Sequence, residues 1–417
     1  MERVNASVIT IGSEILFGHI LDTNSQFICD LLDGLGIHVV LKASVGDIRE
    51  NILELLAYAS SRSDLILLTG GLGPTNDDIT KKCLADFFNS PIHLNKRALD
   101  EVKSYFEKRQ MPFTELNQKQ AELPELAQHI TNDMGTAPGM WIEKNRQIYI
   151  SMPGVPHEMH HMLNTRVVPK IREKYHTPVI QHKLIMTAGI GESWLADKIA
   201  TWEKKLPAHI SLAYLPGYGQ VKLKLTGTGD EPEKLQIEIH EKVKELSKII
   251  PEYIYGEDGL TLEGRIGQML REKNETLSTA ESCTGGYLSH LITTIPGCSD
   301  YYRGGVIAYH NSIKLSQLGV SENILNSQGA VSEETVREMA AGCLNRFQTH
   351  YSIATSGIAG PLGGTPVKPV GTVWIAVADR KGTVTRKYTI PKDRINNIKY
   401  SAVGALTLFW QRISQNK

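Results

Sequence analysis

The sequence predicts an α/β protein that is built from more than one domain. Short apolar segments typical of buried strands alternate with longer segments in which apolar residues recur at helical spacing. Glycine-rich turns follow some of these strands directly, which is the arrangement at the ligand-binding edge of a parallel sheet. The chain has 417 residues, of which 41% are hydrophobic and 22% charged, so it is long enough for several domains with separate cores.

The first part of the chain is predicted to form a parallel sheet covered by helices. Strands are expected at 6–11, 39–45 and 65–69, where apolar residues run almost without interruption. Helices are expected at 24–35 and 47–60, where apolar residues recur every three to four positions. Because strand and helix alternate in this way, ligands are expected at the carboxyl ends of the strands.

A smaller α+β module is predicted next. Strands are expected at 182–188, 209–214 and 221–226, and helices at 191–202 and 233–250. The last of these strands (VKLKLT) alternates apolar and polar residues, so one of its faces should be exposed to water. A GIGE turn in this module is similar to the GxxG loop of RNA-binding KH domains. That pattern is short, and we expect a structural connector rather than a nucleic-acid site.

The rest of the chain is predicted to form a second α/β domain, after a linker at 255–259 (YGEDG). Ser332 is a good N-cap for one of its helices, and Glu333 and Glu334 lie in the first turn, where negative charge is favourable. The other expected elements are helices at 260–272 and 393–410 and strands at 276–280, 303–308, 352–355 and 371–377.

Charge and cysteine content exclude several classes of protein. The chain has 45 Lys and Arg against 45 Asp and Glu, so it offers no broad electrostatic attraction to nucleic acid or to a membrane. Its five cysteines form no CxxC pair, which indicates a reducing compartment. The N-terminus lacks a signal-peptide layout, and no apolar segment approaches the roughly 20 residues of a membrane helix. A cytoplasmic location is therefore expected.

The segment TAESCTGG is the strongest candidate for a catalytic centre. It lies where a short strand should give way to a helix, and it contains three adjacent nucleophiles, Ser282, Cys283 and Thr284. Gly285 and Gly286 follow them and let backbone amides approach a ligand closely. The residues alone do not decide which side chain attacks, and Cys283 also fits a small buried apolar residue.

A serine nucleophile needs a base within reach, and the segment YHNSIK supplies a candidate. Lys314 can accept the Ser282 proton if burial lowers its pKa, and Tyr309 can relay the proton or orient the lysine. Amides at the start of the helix after Ser282, together with Gly357, are candidates for an oxyanion hole. Arg394, which opens the last helix, is a candidate phosphate anchor. Taken singly, Tyr309 and Lys314 also fit an ordinary strand-end tyrosine and an exposed lysine.

The first domain contains a candidate phosphate and metal site. In LTGGLGPTNDD, Gly70, Gly71 and Gly73 follow a strand where a helix should begin, so their amides can surround a phosphate. Asp77 and Asp78 come next, and carboxylates beside phosphates usually hold Mg²⁺ or a similar hard cation. A tight glycine turn with two acidic residues at a helix N-terminus fits the same letters.

Two more carboxylates are predicted at the same edge of the sheet. Glu14 and Asp22 follow the first strand, and the carboxyl ends of parallel strands meet at one edge. We therefore expect them near Asp77 and Asp78. This convergence favours a divalent-cation site over a plain turn.

The segment HEMHH matches the HExxH signature of zinc proteases letter for letter. However, Pro153 and Pro156 place His157 in the first helical turn at the earliest, whereas the signature requires the motif inside a helix. Asn164 also stands where the extended signature has glycine. Surface histidines on a short helix are expected instead.

Taken together, these motifs closely resemble the CinA family, the competence/damage-inducible proteins of bacteria. VITIGSEILFGHILDTNS, LTGGLGPTNDDIT, GTAPGM and MPGVPHEM are similar to its N-terminal molybdopterin-binding-like domain. TLSTAESCTGG, GGVIAYHNSIK, GAVSEE, TSGIAGPLGGT and KPVGTVW are similar to its C-terminal domain. The resemblance covers nearly the whole chain. It implies a three-layer α/β domain at 1–170, a small α+β KH-like domain at 171–254 and an α/β amidase domain at 255–417.

The resemblance implies two hydrolytic activities. The C-terminal domain is similar to nicotinamide-nucleotide amidase, which needs no cofactor, converts nicotinamide mononucleotide to nicotinate mononucleotide and ammonia, and so recycles the pyridine ring for NAD. The N-terminal domain resembles enzymes that cleave ADP-ribose to AMP and ribose 5-phosphate with a divalent cation, Mg²⁺, Mn²⁺ or Co²⁺. Alternatives are a non-catalytic pterin- or nucleotide-binding module in the N-terminal domain and a competence or recombination partner protein. A homodimer is expected from the family alone.

The resemblance also implies which residues act. Ser282 corresponds to the nucleophile of the TAES motif, and Tyr309 and Lys314 to the YxNxxK motif. The expected substrate contacts of the amidase are Cys283, Thr284, Gly285, Gly286, Ser356, Gly357 and Arg394. In the N-terminal domain the expected contacts are Asn24, Gly70, Gly71 and Gly73, with Glu14, Asp77 and Asp78 as metal ligands.

Overall fold

The computed structural model of the protein describes residues 4–75 and 77–415. The chain divides into two compact units, residues 1–181 with 228–235 and residues 182–227 with 236–417. Both units contain helices and strands, which confirms the predicted α/β class. Among the described residues, none of the helices has both the length and the apolar content needed to cross a membrane.

The first unit contains a large sheet, a short two-stranded sheet and the helices around them. Its strands are β1 (Asn5–Ile11), β2 (His38–Val45), β3 (Leu65–Thr69), β4 (Ile92–Leu94), β5 (Glu122–Pro124), β6 (Gln128–Ile130), β7 (Gly139–Lys144) and β8 (Gln147–Met152). Its helices are α1 (Ser13–Leu16), α2 (Thr23–Gly34), α3 (Arg49–Ser60), α4 (Thr80–Phe88), α5 (Lys96–Lys108), α6 (Glu115–Lys119), α7 (Pro156–Met162) and α8 (Val168–Lys174), with a π-helical turn at Leu163–Val167 before α8.

The large sheet has the strand order β2-β1-β3-β8-β7-β6. Strands β2, β1, β3 and β8 are parallel, whereas β7 and β6 are antiparallel to their neighbours. The carboxyl ends of the four parallel strands therefore lie at one edge of the sheet, which is where open α/β sheets bind ligands.

Strand β3 explains why this unit has three layers. Its LILLT sequence is buried along its whole length. Leu65 and Leu67 pack in one hydrophobic cluster with side chains of α2 and α7, and Ile66 and Leu68 pack in another with side chains of α3 and α4. Because neighbouring strand residues face opposite sides, a continuous apolar strand must be covered by helices on both. The predicted three-layer arrangement is confirmed.

The second unit combines the small α+β module with the C-terminal domain. Its strands are β9 (Val179–Ala188), β10 (Ile210–Pro216), β11 (Gln220–Gly229), β12 (Ile254–Glu257), β13 (Leu277–Glu281), β14 (Tyr302–Ile307), β15 (Tyr351–Gly357), β16 (Thr372–Asp379) and β17 (Gly382–Thr389). Its helices are α9 (Glu192–Glu203), α10 (Pro232–Ile249), α11 (Leu262–Lys273), α12 (Tyr287–Thr293), α13 (Asn311–Leu318), α14 (Glu322–Gln328), α15 (Glu333–Phe347) and α16 (Arg394–Ser414), with a 3₁₀ turn at Cys298–Asp300.

Two sheets organise these elements. The smaller has the order β10-β11-β9-β12, and the larger has the order β14-β13-β15-β16-β17. In the larger sheet β13 is parallel to β14 and to β15, and the remaining pairs are antiparallel. The carboxyl ends of β13, β14 and β15 consequently share one edge, at which residues from distant parts of the sequence meet.

The prediction of a linker at 255–259 is wrong for its first residues. They belong to β12, which pairs with β9, and Tyr255 is 3% exposed in the same hydrophobic cluster as Leu262 and Phe409. An apolar stretch of two residues is too short to display the period of a strand, so the glycines and acidic residues around it dominate the pattern. The proposed domain boundaries stay a prediction.

Candidate functional sites

A small cavity of about 190 Å³ lies at the carboxyl edge of the larger sheet in the second unit. The ends of β13 and β15 and the start of α13 carry much of its lining. It brings together most of the residues predicted for the amidase site, although they lie far apart in the sequence. The lining residues are Ser282, Cys283, Tyr309, Asn311, Lys314, Ala330, Val331, Ser356, Gly357, Ala359 and Arg394.

The two adjacent nucleophiles Ser282 and Cys283 both line the cavity but differ in their surroundings. Both side chains are almost buried, and Cys283 packs in the hydrophobic cluster that includes Leu288. Burial, with a smaller contribution from the charge of Glu281, raises the pKa of the Cys283 thiol to about 12. A thiol with that pKa is almost entirely protonated near neutral pH, so Cys283, like Ser282, would need a base in order to attack. The assignment of Ser282 as the nucleophile stays a prediction.

Lys314 is a buried lysine that pairs with no carboxylate of the described residues. Its residue is 1% exposed, and its Nζ donates to the backbone carbonyls of Ala308 (2.8 Å) and Tyr309 (3.2 Å). Burial lowers the pKa of Lys314, because the charged ammonium loses its hydration and no ion pair in the described part of the chain compensates it. A lysine in this state can be neutral and accept a proton. The exposed-lysine alternative is excluded.

Tyr309 and Arg394 form the outer wall of the cavity. The Tyr309 hydroxyl accepts a hydrogen bond from Arg394 Nη2 (2.9 Å), and Nη1 donates to the Gly360 carbonyl (2.7 Å). Asn397 supports the same loop by donating to the Ala359 carbonyl (3.0 Å). Tyr309 thus orients Lys314 through its backbone carbonyl, while its hydroxyl is engaged by the arginine.

Glu281 directly precedes Ser282, and its carboxylate binds backbone amides that were predicted to form the oxyanion hole. Its carboxylate accepts hydrogen bonds from the amides of Gly286 (2.9 Å), Leu288 (3.0 Å) and Ser289 (2.8 Å). The prediction that the start of α12 supplies the oxyanion hole is wrong for these amides, because they already have an ionised acceptor.

Thr284, Gly285 and Gly286 do not line the cavity, in contrast to the prediction for them. The Thr284 hydroxyl bonds to the Thr355 hydroxyl (2.7 Å) within the domain. Gly285 and Gly286 have φ angles of 58° and 100°, which residues other than glycine rarely adopt. These residues shape the turn after Ser282 and do not contact the cavity.

Four lining residues are absent from the prediction: Asn311, Ala330, Val331 and Ala359. Asn311 lies inside the YHNSIK motif, so its amide is a signal that could have been used. The other three carry no reactive group, and only the tertiary fold brings them to the cavity.

A second cavity, of about 570 Å³, lies at the carboxyl edge of the parallel strands in the first unit. All seven residues predicted for the N-terminal site line it, namely Glu14, Asn24, Gly70, Gly71, Gly73, Asp77 and Asp78. The lining also includes residues that are absent from the prediction of contacts, among them Asp47, Gln120, Thr136 and Glu158. Thr136 and Glu158 lie within the GTAPGM and MPGVPHEM motifs, so their residue types were signals that could have been used, whereas Asp47 and Gln120 are placed by the tertiary fold.

Glycine is required at the floor of this cavity. Gly70 and Gly71 have positive φ angles of 108° and 65°. A Cβ atom on Gly70 would collide with the carbonyl oxygen of Ile11, and one on Gly71 would collide with the Thr80 hydroxyl. The same hydroxyl donates to the Gly70 carbonyl (2.9 Å), which fixes the turn between β3 and α4. Glycine is thus needed at these positions for close packing against Ile11 and Thr80, and a contact of this turn with phosphate stays a prediction.

The lining of the larger cavity is acidic and contains no Lys, Arg or His among the described residues. Some carboxylates have internal partners. Asp22 accepts from the Ser25 amide (3.0 Å) and the Thr10 hydroxyl (2.9 Å), and although burial acts to raise the pKa of Asp22, these hydrogen bonds lower it below its ordinary value. Asp47 accepts from Ser13 (2.9 Å). Uncompensated negative charge of this kind favours the binding of a cation.

The oxygen donors of this cavity fit a hard divalent cation. Within residues 4–75 and 77–415, however, no three His, Cys, Asp or Glu side chains are gathered closely enough to hold a metal by themselves. A cation would need further oxygens from the ligand or from water, as Mg²⁺ commonly does. The assignment of Glu14, Asp77 and Asp78 as metal ligands stays a prediction.

Asn24 connects two walls of the same cavity. Its Nδ2 donates to the Gly154 carbonyl (2.7 Å) and to the Thr69 hydroxyl (3.2 Å), and the Thr69 hydroxyl donates to the Pro153 carbonyl (2.8 Å). Because a carbonyl only accepts hydrogen bonds, these contacts fix the orientation of the amide. Asn24 therefore holds the end of β3 against the turn before α7.

The HEMHH segment does not form a metal centre. Helix α7 begins at Pro156, so His157 lies in its first turn, as predicted. His160 stacks on Phe27 with ring centroids 3.7 Å apart, and His161 pairs with Asp133 at 3.3 Å. The three histidines thus face different surroundings.

Family comparisons cover the three parts of the chain. Residues 7–173 match the probable molybdopterin binding domain, residues 182–256 match the damage-inducible protein CinA KH domain, and residues 260–413 match the CinA C-terminal domain. A CinA-like protein of Cytophaga hutchinsonii is 48% identical over 415 residues, covering 100% of this chain and 99% of its own. One of Flavobacterium psychrophilum is 41% identical over 418 residues, covering 99% of both chains.

Solved structures resemble single parts of the chain. The competence/damage inducible protein CihA from Agrobacterium tumefaciens is 35% identical with a TM-score of 0.36, covering 37% of this chain and 94% of its own. The protein CinA with unknown function from Thermoplasma acidophilum is 33% identical with a TM-score of 0.38, covering 42% of this chain and 99% of its own.

Proposed function

The chain belongs to the CinA family, and from that membership and the cavity around Ser282 we propose that its C-terminal domain hydrolyses the carboxamide of nicotinamide mononucleotide. The products are nicotinate mononucleotide and ammonia. The observation that carries this proposal is the placement of Ser282 in one small cavity with Lys314, a buried lysine that has no carboxylate partner among the described residues. A serine activated by a neutral lysine is a known solution for amide cleavage.

The reaction proceeds through an acyl-enzyme. Lys314 accepts the hydroxyl proton as Ser282 Oγ bonds to the carboxamide carbon, and the carbonyl oxygen becomes an oxyanion. When the C–N bond breaks, Lys314 returns the proton to the leaving nitrogen and ammonia departs. Water then attacks the ester, Lys314 accepts its proton, and the Ser282 oxygen leaves and is reprotonated. One water is consumed for each ammonia released.

Arg394 is proposed to bind the phosphate of the nucleotide. Two of its N–H groups hold Tyr309 and Gly360, and a guanidinium has five, so donors remain for a phosphate. The Arg394 side chain lies at the exposed end of the cavity, where the sugar phosphate would extend outward from the buried pyridine ring.

Arg394→Gln is expected to raise the KM for nicotinamide mononucleotide by about tenfold, equivalent to about 1.4 kcal/mol. The physical reason is the loss of a charged contact to the phosphate. The matched measurement uses nicotinamide riboside, which lacks the phosphate, and its kcat/KM should change much less. Equal losses for both substrates would contradict a phosphate contact and would indicate that Arg394 acts only through Tyr309 and Gly360.

For the N-terminal domain we propose cleavage of ADP-ribose to AMP and ribose 5-phosphate with a divalent cation. The glycine turn at Gly70 and Gly71 and the carboxylates of the larger cavity support this proposal. The cation would be held by Glu14, Asp77 and Asp78 and would neutralise the pyrophosphate and activate water. A pterin- or nucleotide-binding module without catalysis is the second candidate, favoured by the match to a probable molybdopterin binding domain.

ADP-ribose binding to the full chain is expected to require a divalent cation. An acidic lining without Lys, Arg or His among the described residues repels a free pyrophosphate. Calorimetric titration with Mn²⁺ should therefore give an affinity at least about tenfold higher than titration with EDTA, and Asp77→Asn should weaken it. Asp100→Asn, on an exposed helix position, is the matched control. Equal affinity with and without the cation would contradict a cation-dependent site, and tight binding without AMP release would support the binding module.

A further inference from the structure

Glu281 is a buried carboxylate that no basic side chain of the described residues neutralises. Its residue is 0% exposed. Besides the amides of Gly286, Leu288 and Ser289, it accepts the Ser289 hydroxyl at 2.5 Å. These charge-assisted hydrogen bonds offset the loss of hydration, which is costly for an ionised group.

The network extends behind Glu281 through buried hydroxyls. Ser289 Oγ lies 2.8 Å from the Tyr302 hydroxyl, and the Thr279 hydroxyl lies 2.6 Å from that of Tyr302 and 2.8 Å from that of Ser289. The buried carboxylate is thus surrounded by hydrogen-bonded amides and hydroxyls. A simple helix cap would need only an exposed Ser, Thr, Asp or Asn, so burying a carboxylate is a costly way to cap the seven-residue helix α12.

The turn between Glu281 and α12 is closed by backbone contacts. The Ser282 amide donates to the Thr355 carbonyl (2.9 Å), and the Gly285 amide donates to the Ser282 carbonyl (3.1 Å). In the described parts of the chain, neither the Cys283 amide nor the Thr284 amide donates to a backbone carbonyl. Of these two residues only Cys283 lines the cavity, so its amide is the one next to the nucleophile that remains available to an oxyanion.

We infer that Glu281 is a positioning residue, which holds the turn so that Ser282 meets the carboxamide and the Cys283 amide receives the oxyanion. The inference rests on the proposed use of Ser282 as the nucleophile. Glu281 itself does not touch the substrate, since its carboxylate is enclosed by α12. Oxyanion donors act only in the transition state, so misplacing them lowers kcat and leaves substrate binding unchanged.

Glu281→Gln tests this inference because glutamine keeps the shape but presents an NH₂ group to backbone donors. We expect kcat for nicotinamide mononucleotide to fall by about 10²- to 10³-fold, with KM within about twofold of wild type. Glu334→Gln is the matched control, since Glu334 also lies in a first helical turn of this domain but is exposed. Should Glu281→Gln fail to fold, Glu281→Asp keeps the charge, shortens the side chain, and should also lower kcat at constant KM.

Labelling of Ser282 by a fluorophosphonate, measured by intact mass, separates this inference from the proposed substrate. If the wild type is labelled and a folded Glu281→Gln variant is not, the inference is supported. If the same wild type does not hydrolyse nicotinamide mononucleotide, only the proposed function fails. If the Glu281→Gln variant has an unchanged kcat, or a KM that rises in parallel with the loss of kcat, the inference is overturned. The proposed amidase function is not affected by that result. A wild type that neither releases ammonia nor is labelled would overturn both.

Discussion

Ser282→Ala is expected to reduce ammonia release from nicotinamide mononucleotide by at least about 10³-fold at saturating substrate. The alanine side chain cannot form the acyl-enzyme, and burial keeps the neighbouring thiol protonated by raising the pKa of Cys283 to about 12. The measurement is kcat from the rate of ammonia formation by the purified full chain. Ser299→Ala, at an exposed position, is the matched control and should retain wild-type turnover.

Cys283→Ala provides the discriminating comparison. Removing the thiol should cost less than about tenfold in kcat, since Cys283 packs in a hydrophobic cluster at the wall of the cavity and the proposed reaction assigns it no bond or proton. If Cys283→Ala were inactive and Ser282→Ala active, the assignment of the nucleophile would be reversed. The proposed mechanism would then have to pass through a thioester.

Lys314→Met is expected to lower kcat by about 10³-fold, because methionine fills the buried volume but accepts no proton. The wild-type pH profile should reflect the same group. Burial lowers the pKa of Lys314, so the neutral base is lost as pH falls through that lowered pKa, and kcat/KM should decrease on the acid side of the profile. In the residual activity of Lys314→Met, this decrease of kcat/KM on the acid side of the profile should be absent.

The free energy of unfolding should also depend on the protonation of Lys314. The unfolded chain binds the Lys314 proton more tightly than the folded chain, so the free energy of unfolding rises with pH between the lowered pKa and the ordinary value near 10.4. Thermal unfolding of Lys314→Met should lack this contribution. Lys248→Met, at an exposed helix position, is the control. A Lys314→Met variant with wild-type turnover and an unchanged acid limb would refute the lysine base.

Much of the fold could be predicted because the strongest elements carry local signals. Strand β3 has the predicted bounds, since an uninterrupted apolar run ends at a glycine pair. Helix α15 follows its predicted cap, because the Ser332 hydroxyl accepts from the Thr335 amide (3.2 Å). In contrast, β4 and β5 are three residues each, and β17 is a largely exposed strand, so none of them shows a period.

The candidate sites were predictable where a motif combines several chemical groups in one segment. Ser282 and Lys314 belong to such motifs, and the parallel strands place them at one edge. The amides that Glu281 occupies and the position of Gln120 in the larger cavity depend on contacts made by the folded chain. Thr284 belongs to a motif yet turns toward Thr355, because a motif specifies residue types and leaves side-chain directions to the tertiary fold.

The central claim is that this chain is an amidase acting on nicotinamide mononucleotide, and product analysis of the wild type tests it most directly. The purified full chain should release ammonia and nicotinate mononucleotide in equal amounts, also in the presence of EDTA, because no step of the proposed reaction uses a metal. No ammonia at any pH from about 6 to 10 would contradict the claim, because burial lowers the pKa of Lys314 and the neutral base should form within the ordinary working range. Release of free nicotinamide instead would also contradict it, since that product requires cleavage of the glycosidic bond.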